Sequence, residues 1–156
     1  MPKMKTLEEL LSELKRLGRD IRNVQKACGY DDCSDLSCLE IPMRDPEGLF
    51  LWDELYGVME KLADAQAGIE YLNSPVKEEG VLRKGRNDRY RLKDVELSCG
   101  MPIEILVDDD RHAQDIDGDY RSVPYWCSGR IEHDNGDYYF TGAKNMPLKG
   151  AKARIR

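Results

Sequence analysis

Ala27-Cys28-Gly29-Tyr30-Asp31-Asp32-Cys33-Ser34-Asp35-Leu36-Ser37-Cys38 is the stretch that organises the first half of the chain, because it separates two amphipathic helical patterns. It contains three of the five cysteines, in the spacing Cys-x4-Cys-x4-Cys. Gly29 stands where a left-handed cap would end a helix. The sequence therefore predicts a compact turn between two antiparallel helices, that is, a helical hairpin.

A heptad pattern leads into this turn. Thr6-Leu7-Glu8-Glu9 has the form of a capping box, in which the Thr6 hydroxyl and the Glu9 carboxylate each accept a hydrogen bond from a backbone amide. Apolar residues then recur alternately every three and four positions, at Leu7, Leu10, Leu14, Leu17, Ile21, Val24 and Cys28. We expect this seam to form the inner face of the first helix.

A second helical pattern leaves the turn. It begins near Asp45, with Pro46 at the first helical position, and it ends at Asn73-Ser74-Pro75. Its expected inner row is Trp52, Leu55, Met59, Leu62 and Ile69, and a flanking apolar row is Leu51, Val58, Ala65 and Leu72. The two seams could close within one chain or between two chains, so the oligomeric state stays open.

After Gly80 the helical period ends, and short segments of alternating apolar and polar residues follow. Gly85-Arg86-Asn87-Asp88 separates two of them as in a β-hairpin, and Asp134-Asn135-Gly136-Asp137 is a type I′ turn signal. The segments are 81–84, 89–92, 102–107, 123–131, 138–140 and 151–156. Such strands predict a small SH3-like antiparallel β-barrel. The expected fold class is α+β, with a helical hairpin in residues 1–75 and the barrel in residues 76–156.

The net charge of −6 lies wholly in the helical half, where 9 basic residues oppose 15 acidic ones, whereas the barrel half has 15 of each. A duplex-DNA binder usually has a net basic face, so this distribution argues against that function. An acidic helical face favours a basic protein partner instead. The candidate partner-binding residues are Asp45, Glu47, Asp53, Glu54, Glu60 and Asp64.

The cysteines of the turn are candidate metal ligands. The sequence lacks an apolar run of about 20 residues and an apolar signal segment, so we expect a cytoplasmic protein without a membrane span. Thiols stay reduced in the cytoplasm, and clustered cysteines there indicate metal before disulfide. We therefore predict a structural zinc on Cys28, Cys33 and Cys38.

The fourth zinc ligand is left open by the sequence. The candidates are Asp31, Asp32, Asp35, Cys99, Cys127 and His133. The competing interpretation treats Cys28 as the last residue of the seam and the other two cysteines as small buried thiols. A redox pair is a third alternative.

Two further features of the barrel half could contribute to function. The acidic segment 108–119 lacks the glycine and glutamate positions of a calcium loop, so we expect a solvated loop. The aromatic group Tyr125, Trp126, Tyr138, Tyr139 and Phe140 lies beside the basic residues Arg130, Lys152, Arg154 and Arg156. Small barrels present such surfaces to peptides or single-stranded nucleic acid, although strand alternation places about half of the aromatic side chains in the core.

No catalytic motif stands out in the sequence, so we expect a protein that is not an enzyme. His112 and His133 fall in loop or turn contexts with no evident nucleophile beside them. A histidine in such a context is more often a solvated side chain than a general base.

Short motifs along the chain carry a resemblance to a known family. They are Gly29-Tyr30-Asp31-Asp32, Leu51-Trp52-Asp53-Glu54-Leu55-Tyr56, Ile69-Glu70-Tyr71-Leu72-Asn73, Pro75-Val76-Lys77-Glu78-Glu79-Gly80, Pro102-Ile103-Glu104, Arg130-Ile131-Glu132-His133, Asp137-Tyr138-Tyr139 and Ala153-Arg154-Ile155-Arg156. On these motifs the chain resembles an uncharacterised family of small proteins from bacterial mobile elements and phages. The resemblance supplies no catalytic residues. It implies an accessory gene of an invading element, and small acidic proteins in that setting resemble anti-defence proteins, including anti-CRISPR inhibitors of Cas nucleases.

The expected function is therefore that of a non-enzymatic accessory protein that binds and inhibits a nuclease of bacterial host defence, with a Cas9-type effector as the expected partner. An acidic helical face could occupy the basic surface that normally holds guide or target strands. The alternative is a nucleic-acid- or peptide-binding accessory module that uses the basic, aromatic face of the barrel.

Overall fold

Two helices and a set of antiparallel strands follow one another along the chain. The computed structural model describes residues 5–30, 36–40 and 44–156. The chain divides into one unit of residues Met1–Ser74 and another of residues Pro75–Arg156. The first contains α1 (Leu7–Cys28) and α2 (Pro46–Asn73), and the second contains the strands. The predicted α+β class and the helical hairpin are confirmed.

The helix ends follow from local hydrogen bonds that the sequence predicts. Thr6 and Glu9 form the expected capping box at the start of α1. Gly29 ends α1 with a φ of +82°, a left-handed conformation that glycine adopts without a steric penalty. The Asp45 carboxylate accepts hydrogen bonds from the amides of Glu47 at 3.2 Å and Gly48 at 3.1 Å, which caps α2.

The contact face of α1 differs from the predicted seam. The buried residues are Gly18, Ile21, Gln25 and Cys28, whereas Leu7, Leu10, Leu17 and Val24 are exposed. The cause is a close approach at Gly18, where an added Cβ would lie 2.8 Å from Oε1 of Gln66. The absence of a side chain at Gly18 allows the two helices to approach each other there, and half of the predicted seam lies in solvent.

The contact face of α2 agrees in part with its predicted row. Met59 and Ile69 are buried and Trp52 and Leu62 are half-buried, but Leu55 is exposed. Gln66, a polar residue outside the predicted row, is buried instead. Its Nε2 donates a hydrogen bond to the Glu70 carboxylate at 2.8 Å, which accounts for one of its polar groups.

The second unit, all of whose residues 75–156 the structure describes, contains nine strands. They are β1 (Glu78–Lys84), β2 (Tyr90–Leu92), β3 (Val95–Glu96), β4 (Pro102–Val107), β5 (Gln114–Ile116), β6 (Asp119–Arg121), β7 (Tyr125–Asp134), β8 (Asp137–Phe140) and β9 (Lys152–Ile155). The predicted hairpin turns at 85–88 and 134–137 are confirmed, and Asn135 and Gly136 both have the positive φ of a type I′ turn.

Seven of these strands form one antiparallel sheet in the order β3-β2-β1-β9-β4-β7-β8. The sheet curls into a half-barrel, and its two ends approach each other through side chains. The rings of Tyr90 and Tyr138 meet edge to face with their centroids 6.4 Å apart, and Lys84 Nζ lies 3.5 Å from the Asp137 carboxylate. The concave side holds the core, which includes Leu82, Leu92, Leu97, Ile103, Ile105, Ile131, Phe140 and Ala153.

The acidic segment 108–119 is more ordered than the solvated loop that its composition predicts. It contains a short 3-10 helix at Asp110–His112, and β5 and β6 pair as a separate hairpin. The turn of that hairpin is Asp117-Gly118, with φ values of 55° and 83°. All residues of both strands are exposed, so the expectation that the segment is solvated agrees with its burial.

Neither α1 nor α2, nor any other helix in the described part of the chain, combines the length and apolar character needed to cross a membrane.

Candidate functional site

The convex side of the half-barrel, which we call the outer face, carries a connected set of charged and aromatic side chains. Strand alternation directs one set of side chains into the core and the other outward. The outward set on β1, β2, β9, β4 and β7 is Val81, Arg83, Arg91, Lys152, Arg154, Glu104, Leu106, Trp126 and Ser128.

Glu104 is the centre of the outer face. Its side chain is only 6% exposed although it belongs to the outward set. Arg154 Nε donates a hydrogen bond to one carboxylate oxygen, and Arg156 Nε donates to the other at 2.7 Å. A buried carboxylate is strongly unfavourable unless cations and hydrogen bonds compensate its charge, and here two guanidinium groups do so.

Trp126 lies beside this cluster, and two cations cover its ring. The guanidinium carbon of Arg154 is 4.2 Å from the indole centroid, and Lys152 Nζ is 5.8 Å from it. Because Glu104 fixes the Arg154 guanidinium, the cation over Trp126 is held by an ion pair as well as by the aromatic ring. Trp126 is half-buried, so part of it stays in contact with solvent.

Arg83 and Arg91 form a like-charged pair at the other side of the outer face. They stand directly opposite each other on β1 and β2. Like charges in directly opposite positions repel and destabilise a strand pair. Arg91 lies 4.0 Å from the Glu96 carboxylate, whereas no carboxylate of the described chain pairs with Arg83.

The arginine pair lines a groove of about 350 Å³ together with Val81 and Lys93. Sequence reasoning did not select this pair, although a signal was present. The turn at 85–88 sets the register of the hairpin, and that register places Arg83 opposite Arg91.

The predicted aromatic group does not share one surface. Phe140 is fully buried in the core and Tyr138 packs beneath the sheet against Tyr90, while Trp126 faces outward. The Tyr139 ring has Lys144 Nζ at 5.7 Å. Among the four basic residues that the sequence places beside the aromatic group, Lys152 and Arg154 lie over the Trp126 ring.

Tyr125 takes part in a different contact. Its hydroxyl donates a hydrogen bond to the Asp109 carboxylate at 3.1 Å, and the His112 ring lies 4.5 Å away, centroid to centroid. Burial raises the pKa of the Tyr125 hydroxyl, and the hydrogen bond to Asp109 raises it further. The phenol therefore stays protonated and acts as a donor that ties the 108–112 segment to β7.

The candidate zinc ligands are only partly within the described chain. Cys33 and the acidic candidates Asp31, Asp32 and Asp35 lie outside it. Cys28 is buried and its thiol donates to the Gln25 carbonyl at 3.3 Å, while Cys38 is exposed. The amide of Cys38 donates to the Cys28 carbonyl at 3.2 Å, so the two ends of the turn meet.

The remaining candidate ligands belong to the second unit. Cys99 is exposed and donates to the Glu132 carboxylate at 2.9 Å, and Cys127 is buried. The His133 ring packs against Tyr138. Over residues 5–30, 36–40 and 44–156, no group of three or more histidine, cysteine or acidic side chains has the arrangement of a metal site.

The acidic partner-binding candidates are all exposed, but they do not share one surface. Glu60 and Asp64 lie around Tyr30, near the turn. Burial raises the pKa of the Tyr30 hydroxyl, and the Glu60 carboxylate raises it further. Asp53 falls on the same side of α2, whereas Glu47 and Glu54 point to another side. Asp45 caps α2, so its carboxylate already has a structural function.

Comparison with known families bears on the second unit. Residues 79–155 match the family model described as Domain of unknown function (DUF5348). The match spans β1 to β9 except for the first residue of β1, and therefore includes the whole outer face, while both helices lie outside it. No curated protein and no solved structure matches the chain.

Replacing Glu104 by Gln tests the centre of the outer face. The substitution leaves two guanidinium groups without their shared counter-charge, so the free energy of unfolding should fall by about 3 kcal/mol. Glu79→Gln is the matched control, because Glu79 pairs with Lys152 at 3.1 Å on the same face and both side chains are largely exposed. It should cost less than about 1 kcal/mol. Urea denaturation measures both, and equal losses would contradict the structural importance of Glu104.

Proposed function

We propose that the protein is a non-enzymatic binding module that holds single-stranded nucleic acid on the outer face of its half-barrel. The observation that carries the proposal is the Arg83–Arg91 pair, which projects two positive charges from directly opposite positions, while no carboxylate within the described residues pairs with Arg83. A bound phosphate between the two guanidinium groups would relieve their repulsion and accept hydrogen bonds from both.

The rest of the outer face fits a strand that crosses the sheet. Arg91 lies on β2 and Trp126 on β7, which are four strand spacings apart, or about 19 Å. Lys152 and Arg154 lie between them on β9. In proteins that hold single strands without sequence preference, nucleobases stack on aromatic rings, and the phosphates bind neighbouring lysine and arginine side chains.

A single strand suits this face better than a duplex. The second unit has equal numbers of acidic and basic residues, so it lacks the broad positive field that a duplex binder uses. Stacking on the partly exposed Trp126 ring requires an unpaired nucleobase, which a single strand offers and a duplex does not. We propose, in addition, that the half-barrel is related to SH3-like barrels, which present such surfaces to their ligands.

Anisotropy of a labelled single-stranded oligonucleotide of about 10 nucleotides tests this proposal. Arg83→Ala with Arg91→Ala should weaken binding at least about tenfold and reduce the salt dependence by about 1.4 in log–log slope. Trp126→Ala should weaken binding by about 1–3 kcal/mol. Arg121→Ala is the control, because Arg121 is exposed and lies on β6, which is not part of the outer face. Its Nε is 2.8 Å from the Asp119 carboxylate. Absence of binding at low salt, or an equal loss in the control, would reject the proposal.

We propose, as a second candidate function, inhibition of a host defence nuclease of the Cas9 type in the bacterial cytoplasm. The observation that favours it is the state of the six acidic candidates. Within the described chain, none of Asp45, Glu47, Asp53, Glu54, Glu60 and Asp64 forms an ion pair. Apart from Asp45, which caps α2, these carboxylates lie on α2 and would be available to a basic surface that normally holds guide or target strands.

A cleavage assay with purified Cas9 tests the second candidate. Addition of the protein should slow target cleavage, and a pulldown should retain the nuclease. Glu60→Lys with Asp64→Lys should abolish both effects, because it reverses the charge beside Tyr30. Glu8→Lys, which changes an exposed acidic residue on α1, serves as the control and should leave inhibition intact. Undiminished cleavage in the presence of the wild-type protein would reject this function.

We propose that a structural zinc joins the two ends of the cysteine turn. Support comes from the backbone contact that brings Cys38 to Cys28 and from the exposure of the Cys38 thiol, which is accessible to a metal. Cys33 would supply the third sulfur. Binding requires the Cys28 thiol to lose its proton and its hydrogen bond to the Gln25 carbonyl.

Metal analysis of protein purified without chelator tests the zinc. One zinc per chain is expected, and a chelator should lower the melting temperature because the metal contributes folding free energy. Cys38→Ser should remove the zinc, whereas Cys99→Ser, an exposed cysteine of the second unit, should retain it. Metal-free protein, or equal zinc loss from both variants, would contradict the site.

A further inference from the structure

Apolar side chains on both helices of the first unit face solvent. Seven of them are Leu10, Leu17 and Val24 on α1 and Leu51, Leu55, Val58 and Leu72 on α2. Each of these residues is between 44% and 52% exposed. Single exposed leucines are ordinary on protein surfaces, but seven half-exposed residues that follow two adjacent helices form an extended apolar patch.

The exposed residues follow a seven-residue period. Leu10, Leu17 and Val24 are seven apart on α1, and Leu51, Val58 and Leu72 fall on a row of the same period on α2, with exposed Ala65 completing it. Seven residues is the period of helices that pack along a shared seam. Among the alternate positions of the seams, Ile21, Cys28 and Ile69 are buried, whereas Leu14 and Leu62 are half-buried and Leu55 is exposed. Each seam is therefore half used.

Both exposed rows lie on one flank of the hairpin. The helices run antiparallel, since Cys28 packs near Met59 whereas Gly18 lies beside Gln66 and Ile69. With 3.6 residues per turn, each row lies counter-clockwise from its helix's contact face when viewed from the N-terminus of that helix. Because the helices are antiparallel, the two rows point to the same side of the hairpin. The rows therefore form one surface, which we call the heptad flank.

The charges beside the heptad flank favour a copy of the same surface as its occupant. On α1 the row is bordered by Arg16 as well as by Glu13 and Asp20, and these residues line a shallow cleft with Leu10 and Leu17. On α2 the border has Glu54 and Lys61. A border that carries both positive and negative charges can pair with a copy of itself across a two-fold axis. Acidic residues of one copy can then face basic residues of the other. A strongly acidic or basic partner would find no matching field there.

The size of the heptad flank is that of a small dimer interface. Leu51 and Leu72 are separated by about 32 Å along α2 at 1.5 Å per residue. The flank is two helices wide only where α1 lies alongside, so it covers about 500 Å² per copy. Two copies together would bury about 1,000 Å², the area at which specific interfaces begin.

We propose that the heptad flank is the interface of a homodimer, in which the hairpins of two chains form a four-helix bundle. The second hairpin would supply the missing neighbours of each half-used seam. Burial of the exposed leucine and valine side chains would drive the association.

Light scattering and sedimentation of the full chain over about 1–100 µM test the dimer. The wild-type protein should have twice the 17.9 kDa mass of one chain. Leu17→Glu with Val58→Glu should raise the dissociation constant at least about 100-fold, because two charges would replace apolar contacts in each half of the interface. The helical circular dichroism should not change, since both side chains are already half exposed.

Leu49→Glu is the matched control, because Leu49 is exposed on α2 on the opposite side from the heptad flank, and this variant should remain dimeric. If the double glutamate variant fails to fold, Leu17→Ala with Val58→Ala keeps the helices and should weaken the dimer about tenfold. A wild-type protein that is monomeric at every concentration would overturn the proposal. An intact dimer in a folded double variant, or dissociation by Leu49→Glu, would also overturn it.

Discussion

The outer face of the half-barrel depends on the Glu104 carboxylate, which accepts hydrogen bonds from Arg154 on the last strand and from Arg156 just after it. β9 lies between β1 and β4 in the sheet, so it joins the first hairpin to the remaining strands. Arg154 of β9 and Arg156, which directly follows β9, pair with Glu104 of β4, and these two ion pairs compensate a carboxylate that is removed from water. The same contact holds Arg154 over Trp126. One buried charge thus couples the closure of the sheet to the arrangement of its candidate binding surface.

The helical unit depends on a different constraint, which is the close approach of the helices at Gly18. A Cβ at position 18 would lie 2.8 Å from Oε1 of Gln66 and 3.1 Å from a methyl group of Ile69, so a side chain there would require Gln66 to shift. The approach turns α1 toward Gly18 and Gln25 and away from its leucine row. The hairpin therefore buries a mixed surface and leaves an apolar one outside. This exposed heptad row is what connects the packing of one chain to association with a second.

Local chemistry explains how much of the fold could be predicted from the sequence. The capping box at Thr6, the glycine cap at Gly29 and the turn at 134–137 depend on neighbouring residues, and all three are confirmed. The prediction of the contact face of α1 was wrong, because it followed the leucine period and did not consider Gly18. The β5–β6 hairpin was missed because its acidic composition outweighed the Asp117-Gly118 turn signal. The Glu104 cluster joins residues about fifty positions apart, and strand alternation alone does not reveal such a pairing.

We propose that the outer face of the half-barrel is a surface for single-stranded nucleic acid. Proton–nitrogen NMR spectra of the full chain, recorded during titration with a short single strand, test it most directly. The largest shifts should occur at the Trp126 indole and at Arg83, Arg91 and Lys152 on the outer face. A spectrum that does not change, or one whose shifts are confined to α1 and α2, would contradict it.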